Sequence, residues 1–352
     1  MATAKKKVSS KCPGCGGNLL FSPNSQDLVC EKCLAHVGIE KNNDIPLHVY
    51  QIGKNSKDNS DWQAIGRSFR CKSCGGQVSL SGLEITKICP YCGSTYVSEV
   101  ESLPGLKPDC VIPFAFDKSV ALQKFKEKAK KKKFLPGTFK KSLPESKIYG
   151  LYIPCFSFDA DAYSTYKGVL EENYTTTDRE GKTIVETRPF SISGSVNLNL
   201  KNVVIEASQK MTQSELGSIL PYRHNEAYKF DEGFLRGFYV EHYSDSLDES
   251  HDKARNVMNS EIRRNILSQY HYDRVRYLDI DSNYSNEHYL YKLLPVYKFE
   301  YTYKKKKYLT CMNGQTGELQ NNMPKSGWKI FGLVLGILVP IILFVLLFIF
   351  IN

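Results

Sequence analysis

Residues 12–33 read CPGCGGNLLFSPNSQDLVCEKC, and residues 71–92 read CKSCGGQVSLSGLEITKICPYC. Each stretch is C-x2-C-x14-C-x2-C, and the two share a CGG that begins at the second cysteine. Two thiolates in a C-x2-C turn reach one ion together. A second such turn one short hairpin later completes a tetrahedral cage for a borderline-soft cation such as Zn2+. The interval is one residue short of the usual window of about 15–20, yet its repetition argues against chance. Cys12, Cys15, Cys30 and Cys33, then Cys71, Cys74, Cys89 and Cys92, are therefore read as ligands of two structural Zn2+ ions in two independent rubredoxin-like ribbons.

Units this small bury too little apolar surface to hold themselves together, so the metal must supply their stability. A closed four-thiolate shell keeps no open position for water or substrate, which marks these sites as structural rather than catalytic. The competing assignment, paired disulfide clasps, needs an oxidising compartment. His36 follows Cys33 closely, but four cysteines already fill the shell, and it reads as a surface imidazole.

The other end of the chain bears on compartment. Residues 330–351 contain no charged side chain. At helical rise they extend about 33 Å, enough to cross a hydrocarbon core of about 30 Å. Lys325, Trp328 and Lys329 precede the run, and only Asn352 follows it. Basic residues stay cytoplasmic and Trp favours the interface, so the expectation is a single-pass, C-terminally anchored protein of the cell membrane with its N-terminal bulk in the cytoplasm. MATAKKKVSS has lysines but no apolar stretch after them, hence no signal peptide. A reducing cytosol in turn favours thiolates over disulfides, and leaves Cys110, Cys155 and Cys311 as small core residues.

The chain divides into a basic tail (1–10), ribbon one (11–40), a polar linker (41–65), ribbon two (66–100), an α+β domain (101–320), a juxtamembrane linker (321–329) and the transmembrane helix (330–351). In the α+β domain, Ala121, Leu122, Phe125 and Ala129 recur at helical spacing behind a capping Asp117. Residues 151–205 read as strands, with alternation in FSFDADAYSTY and SISGSVNLNL. Thr212 with Glu215, and Ser246 with Glu249, are capping boxes; the second opens a helix whose Ala254, Met258, Ile262 and Ile266 form one stripe. Residues 289–320 read as a hairpin, with Tyr297, Phe299, Tyr301 and Tyr303 alternating before a lysine turn at 304–307.

Net charge is +10, and between Lys118 and Lys147 eleven lysines face only Glu127 and Glu145, so nearly all of the excess lies in one segment. Residues 1–100 carry twelve Lys/Arg and eight Asp/Glu; eight thiolates and two Zn2+ bring the sum to zero. A neutral module lacks the phosphate-neutralising surface on which nucleic-acid affinity mostly depends. The lysine segment fits the anionic cytoplasmic leaflet, or serves as a solvated helix face. Gly181-Lys182-Thr183 resembles the end of a phosphate loop but has Thr176 where the first glycine belongs. Asp159 and Asp161 share one face of a strand with no partner acid, base or metal, and read as an exposed edge. No catalytic signature stands out, and the chain reads as a non-enzyme.

Several strings carry a family resemblance: VIPFAFDKSVALQKF at 111–125, FLPGTF at 134–139, GLYIPCFSFDA at 150–160, VIEASQKM at 204–211, LPYRHNEAYKFDEGFLRGFYVEHY at 220–243 and LLPVYKFEYTYKKKKYLTCMNGQTGEL at 293–319. In this order they resemble bacterial membrane-bound proteins with TFIIB-type zinc ribbons, the YdjG-like group among them. The resemblance implies a membrane adaptor tied to envelope stress, with phage-shock-protein-A-like or SPFH-type cytosolic partners. The expected function is recruitment of such partners to the membrane; the alternative is a membrane-associated nucleic-acid-binding protein of replication or transcription.

Overall fold

Two strands of great length carry the body of the protein. The computed structural model describes residues 11–55, 67–80, 89–91, 94, 97–100, 106–141, 147–177, 181–208 and 210–351. Cys92, the basic tail and most of KNSKDNSD (54–61) lie outside the described residues.

In chain order, β1 (Leu19–Ser22), β2 (Asp27–Cys30) and β3 (His36–Val37) form ribbon one, followed by β4 (His48–Val49) and α1 (Tyr50–Asn55). Ribbon two supplies β5 (Arg67–Cys71), β6 (Gln77–Leu80) and β7 (Val97–Val100). Then come β8 (Cys110–Val111), α2 (Lys118–Lys131), α3 (Gly137–Lys141), β9 (Lys147–Thr177), β10 (Thr183–Glu206) and α4 (Gln213–Ile219). The chain finishes with β11 (Tyr228–Lys229), β12 (Tyr239–Glu241), α5 (Leu247–Leu267), β13 (Arg274–Tyr303), β14 (Lys306–Asn313) and α6 (Gly327–Ile351).

β9 and β13 run antiparallel from Lys147↔Glu300 to Glu171↔Arg274. A strand of 31 residues spans about 100 Å, far beyond the usual strand. Such a strand survives because its two halves have different covers. Residues 149–158 of β9 and 290–301 of β13 are buried on both faces, which matches the nearly continuous apolar run in YGLYIPCFSF. One face holds Tyr152, Phe156, Tyr297, Phe299 and Tyr301 against Phe114, Phe125 and Phe139. The other holds Leu151, Ile153, Cys155 and Val296 against Leu216, Ile219 and Tyr222. Each such aromatic or aliphatic side chain contributes on the order of 1.5–3 kcal/mol. Beyond residue 160 β9 alternates buried and exposed, with β10 as its other neighbour and α5 packed on the buried face.

The helix caps follow the sequence. Asp117 accepts from the Ser119 and Val120 backbone N–H groups, and both capping boxes close. Ala254, Met258, Ile262 and Ile266 are the buried stripe of α5. The β13–β14 hairpin turns in two residues, Tyr303 pairing with Lys306, and Lys304 and Lys305 take φ of 48° and 64°.

Three features differ from expectation. Ribbon two is not independent: β6 pairs antiparallel with β12, which pairs parallel with β9, so its strands continue the main sheet. The 41–65 segment is only partly a linker, since β4 pairs with β13 and Tyr50 stacks on His251 of α5 at 3.8 Å between ring centroids. Asp159 and Asp161 are not at an edge, because β9 has β10 and β13 on its two sides. Asp159 accepts from the Asn202 N–H, while Asp161 accepts from the Asn199 and Asn286 amides. Asn202 and Asn286 sit at register shifts with φ of 54° and 51°, and the aspartates satisfy those bulges.

Candidate metal centres

Each C-x2-C corner is the same turn. The N–H of its first cysteine donates to the carbonyl five residues on: Cys12 to Gly17 at 2.7 Å, Cys30 to Ala35 at 3.0 Å, Cys71 to Gly76 at 2.9 Å and Cys89 to Ser94 at 2.8 Å. In three of them the fifth residue donates back to the first cysteine's carbonyl, from Gly16, Leu34 and Gly75, with φ of 70°, 59° and 69°. Left-handed backbone suits the two glycines; Leu34 adopts it at a steric cost. At Gly17 a Cβ would lie 2.8 Å from the Cys30 sulfur, so the turn must lack a side chain for that thiol to point inward.

The turns bring Cys12, Cys15, Cys30 and Cys33 together, and likewise Cys71, Cys74 and Cys89, with all sulfurs of a group within 4.8 Å of one another. The sulfur separations are 3.6 Å for Cys12–Cys33, 3.4 Å for Cys15–Cys30, 3.4 Å for Cys15–Cys33 and 3.7 Å for Cys74–Cys89. A disulfide needs about 2.05 Å. A tetrahedron with metal–sulfur bonds of about 2.3 Å has edges of about 3.8 Å, so the sulfurs fit a tetrahedral thiophilic ion and not a covalent bridge.

Electrostatics agree. The Cys33 backbone N–H pulls the Cys30 thiol down to about 6, and the Cys15 and Gly14 N–H groups lower Cys12. Although the Ala35 N–H works the other way, the thiols of Cys15, Cys30 and Cys12 hold Cys33 up at about 12. Crowded sulfurs cannot all ionise without a cation among them.

The three remaining cysteines behave differently. Cys110, Cys155 and Cys311 are buried in the body, and burial pushes Cys110 to about 12, Cys311 to about 11 and Cys155 well above its ordinary value. His36 lies exposed on β3 with Nδ1 3.9 Å from Asp27. Gly181 and Lys182 belong to the β9–β10 connection.

The two centres meet the body through unlike seams. Ribbon one presents Phe21 to Phe234 at 5.3 Å and Phe238 at 6.3 Å, and the Phe21 N–H donates to the Arg236 carbonyl at 3.1 Å. Ribbon two has a charged seam. Lys298 places its ammonium 4.2 Å from the Tyr91 ring centroid, and Lys210 Nζ donates to the Cys74 carbonyl at 2.8 Å. Glu241, on β12, is 2% exposed, and burial pushes it up to about 7 against the pull of Lys298. Sequence reading missed these residues. Lys298 occupies the polar phase of a strand whose Tyr297, Phe299, Tyr301 and Tyr303 alternate on the other face, and nothing local marks the polar face as covered.

At the far end, α6 is long and apolar enough to cross a membrane: its window Gly327–Phe344 has a mean hydropathy of 2.2 and no residue buried. Its first turn is fastened to the body. The Ser326 N–H donates to the Phe134 carbonyl at 2.8 Å, and Lys329 Nζ to those of Leu135 at 2.8 Å and Lys133 at 3.3 Å.

No family model matches the chain, and no solved structure matches it. It is similar to the uncharacterized protein YdjG of Bacillus subtilis (strain 168), 28% identical over 335 residues that make up 94% of each chain, so the likeness covers most of the length of both.

Proposed function

We propose that this chain is a non-enzymatic, tail-anchored adaptor whose two Zn2+-stabilised ribbons and sheet body recruit cytosolic proteins to the cell membrane. The attachment of α6 carries the reading. An apolar helix with no protein cover begins at backbone carbonyls of the body itself, so the tether is short and the body is held against the bilayer rather than on a leash. Lys325, Trp328 and Lys329 at its start support a cytoplasmic body, because basic residues flank membrane helices on that side. Zn2+ bound by Cys12, Cys15, Cys30 and Cys33, and by Cys71, Cys74, Cys89 and Cys92, would supply a cross-link and no reactive position, because four sulfurs close the shell. The family resemblance supports envelope stress as the setting and phage-shock-protein-A-like or SPFH-type proteins as partners.

Membrane fractionation of the full chain beside a chain ending at Ser326 tests this. The full chain should resist alkaline extraction, and the shortened chain should be soluble together with its co-purifying partner. A partner that remains on membranes when the tail is gone counts against recruitment.

A further inference from the structure

Lysines far apart in the sequence meet where α6 leaves the body. The carbonyls of 133–135, just past the end of α2, bind Ser326 and Lys329 at the foot of α6. α3 then packs on the tip of the β13–β14 hairpin: Thr138 Oγ1 is 2.8 Å from Tyr303 Oη, and the Phe139 ring lies 5.2 Å from that of Tyr303. Lysines 130–133 therefore lie beside the foot of α6, and lysines 304–307 follow the hairpin tip packed on the neighbouring α3. Among the described residues two lysines of this region have carboxylate partners, Lys128 with Glu318 at 3.0 Å and Lys307 with Glu300 at 2.8 Å. Lysines 130–133 and 304–306 show none among the described residues.

Two further observations point to a bilayer rather than bulk water. Trp328 is 83% exposed and Phe134 41% exposed at the same foot, and an exposed Trp there suits the headgroup region of a bilayer. The hairpin turn is the geometry that Asn-Gly serves without strain, yet Lys304 and Lys305 occupy both left-handed positions. Turn chemistry does not account for lysine at either position. The carbonyl end of α2 would repel anions, but Lys329 and Lys140 donate to carbonyls at that end, with Lys140 Nζ 2.7 Å from the Lys130 oxygen.

We infer that α2, α3 and the β13–β14 tip form a basic collar around α6 that binds anionic phospholipid headgroups, fixing the body's orientation on the membrane. The collar rests on the membrane-anchored reading above and adds to it a lipid selectivity that anchoring alone does not require.

The test uses the full chain in vesicles. A Trp62→Phe background leaves Trp328 as the only indole, and brominated phosphatidylglycerol or brominated phosphatidylcholine is the quencher at equal mole fraction. Each lysine that engages the surface favours the anionic lipid roughly fivefold, so phosphatidylglycerol should quench far more strongly at low salt and lose its advantage as salt rises. Changing lysines 304–307 to Gln should remove most of the preference, and changing them to Arg should keep it. The Gln variant's zinc content checks that it folds. Equal quenching by both lipids in the parent overturns the collar while leaving the membrane helix in place. Quenching by neither lipid overturns the anchored reading itself. A parent without headgroup preference that binds a labelled RNA oligonucleotide in neutral vesicles reassigns the lysines to nucleic acid.

Discussion

Ribbon one keeps its own three-stranded sheet and touches the body through rings, Phe21 against Phe234 and Phe238, and through the bond from the Phe21 N–H to the Arg236 carbonyl, without joining a strand ladder. Ribbon two, built on the same cysteine spacing, gives its strands to the body's sheet and seals the join with buried charge at Lys298 and Glu241. A metal site attached through rings and an isolated backbone bond can fail locally. One attached through a backbone ladder passes its failure to the next strand. The two ribbons are thus alike as coordination chemistry and unlike as structural elements.

The largest effect should come from breaking each site in turn. Structural Zn2+ supplies about 10–16 kcal/mol of apparent binding energy in small peptides, and bound in ribbon two it would also hold β6 in register with β12. Cys71→Ser should raise amide exchange across 239–241 and at Leu151 and Tyr152 roughly a hundredfold, about 3 kcal/mol of local stability, with loss of one zinc. Cys12→Ser should lose one zinc and free β1–β3 while those same amides stay protected. Equal protection of β12 in both variants would mean that the ladder transmits nothing.

The seam of ribbon two should also respond to pH, and that of ribbon one should not. Glu241 is held at about 7 by burial, above its ordinary value of 4.5, so its contribution to stability is complete below 4.5 and is lost as pH rises through 7. Glu206, Tyr91 and Lys298 face it. Zinc binding has its own pH dependence, so the comparison is between the parent and Glu241→Gln at each pH. Measured by exchange at 239–241, the parent should lose ground to the variant by about 1–3 kcal/mol between pH 5 and 8. A constant difference across that range would show that Glu241 never ionises in the folded chain.

How much of this could be read beforehand follows from range. Whatever is written within a turn or two of helix was legible: the knuckles, the Asp117 cap, both capping boxes, the α5 stripe and the 304–307 turn. The gathering of the seven described knuckle cysteines into two clusters was legible because a cage needs fixed local spacing. The merger of ribbon two with the body was not. It depends on β12, three residues long, finding Val78 and Leu80 across more than a hundred and fifty residues of intervening chain, and no local propensity encodes that pairing. The doubly buried half of β13 was hidden for a related reason. Lys292, Lys298 and Glu300 mark a polar phase, and only the α4 region and ribbon two, folded over it, turn that phase into interior.

The smallest effect isolates one backbone angle. Three of the four knuckles have glycine at the fifth position, Gly16, Gly75 and Gly93, and the fourth has Leu34, 70% exposed with φ of 59°. A leucine there costs about 1–2 kcal/mol in left-handed strain, and glycine returns part of that through the entropy of the unfolded chain. Leu34→Gly should therefore tighten zinc at ribbon one by about 0.5–1 kcal/mol in a chelator competition, and Gly75→Leu, at φ of 69°, should loosen ribbon two by a similar amount. If Leu34→Gly tightens the metal yet weakens partner capture, the strain is kept because an exposed leucine at the ribbon's tip is a contact the adaptor uses. If capture is unchanged, the leucine is a tolerated defect, and the docking face of ribbon one lies elsewhere.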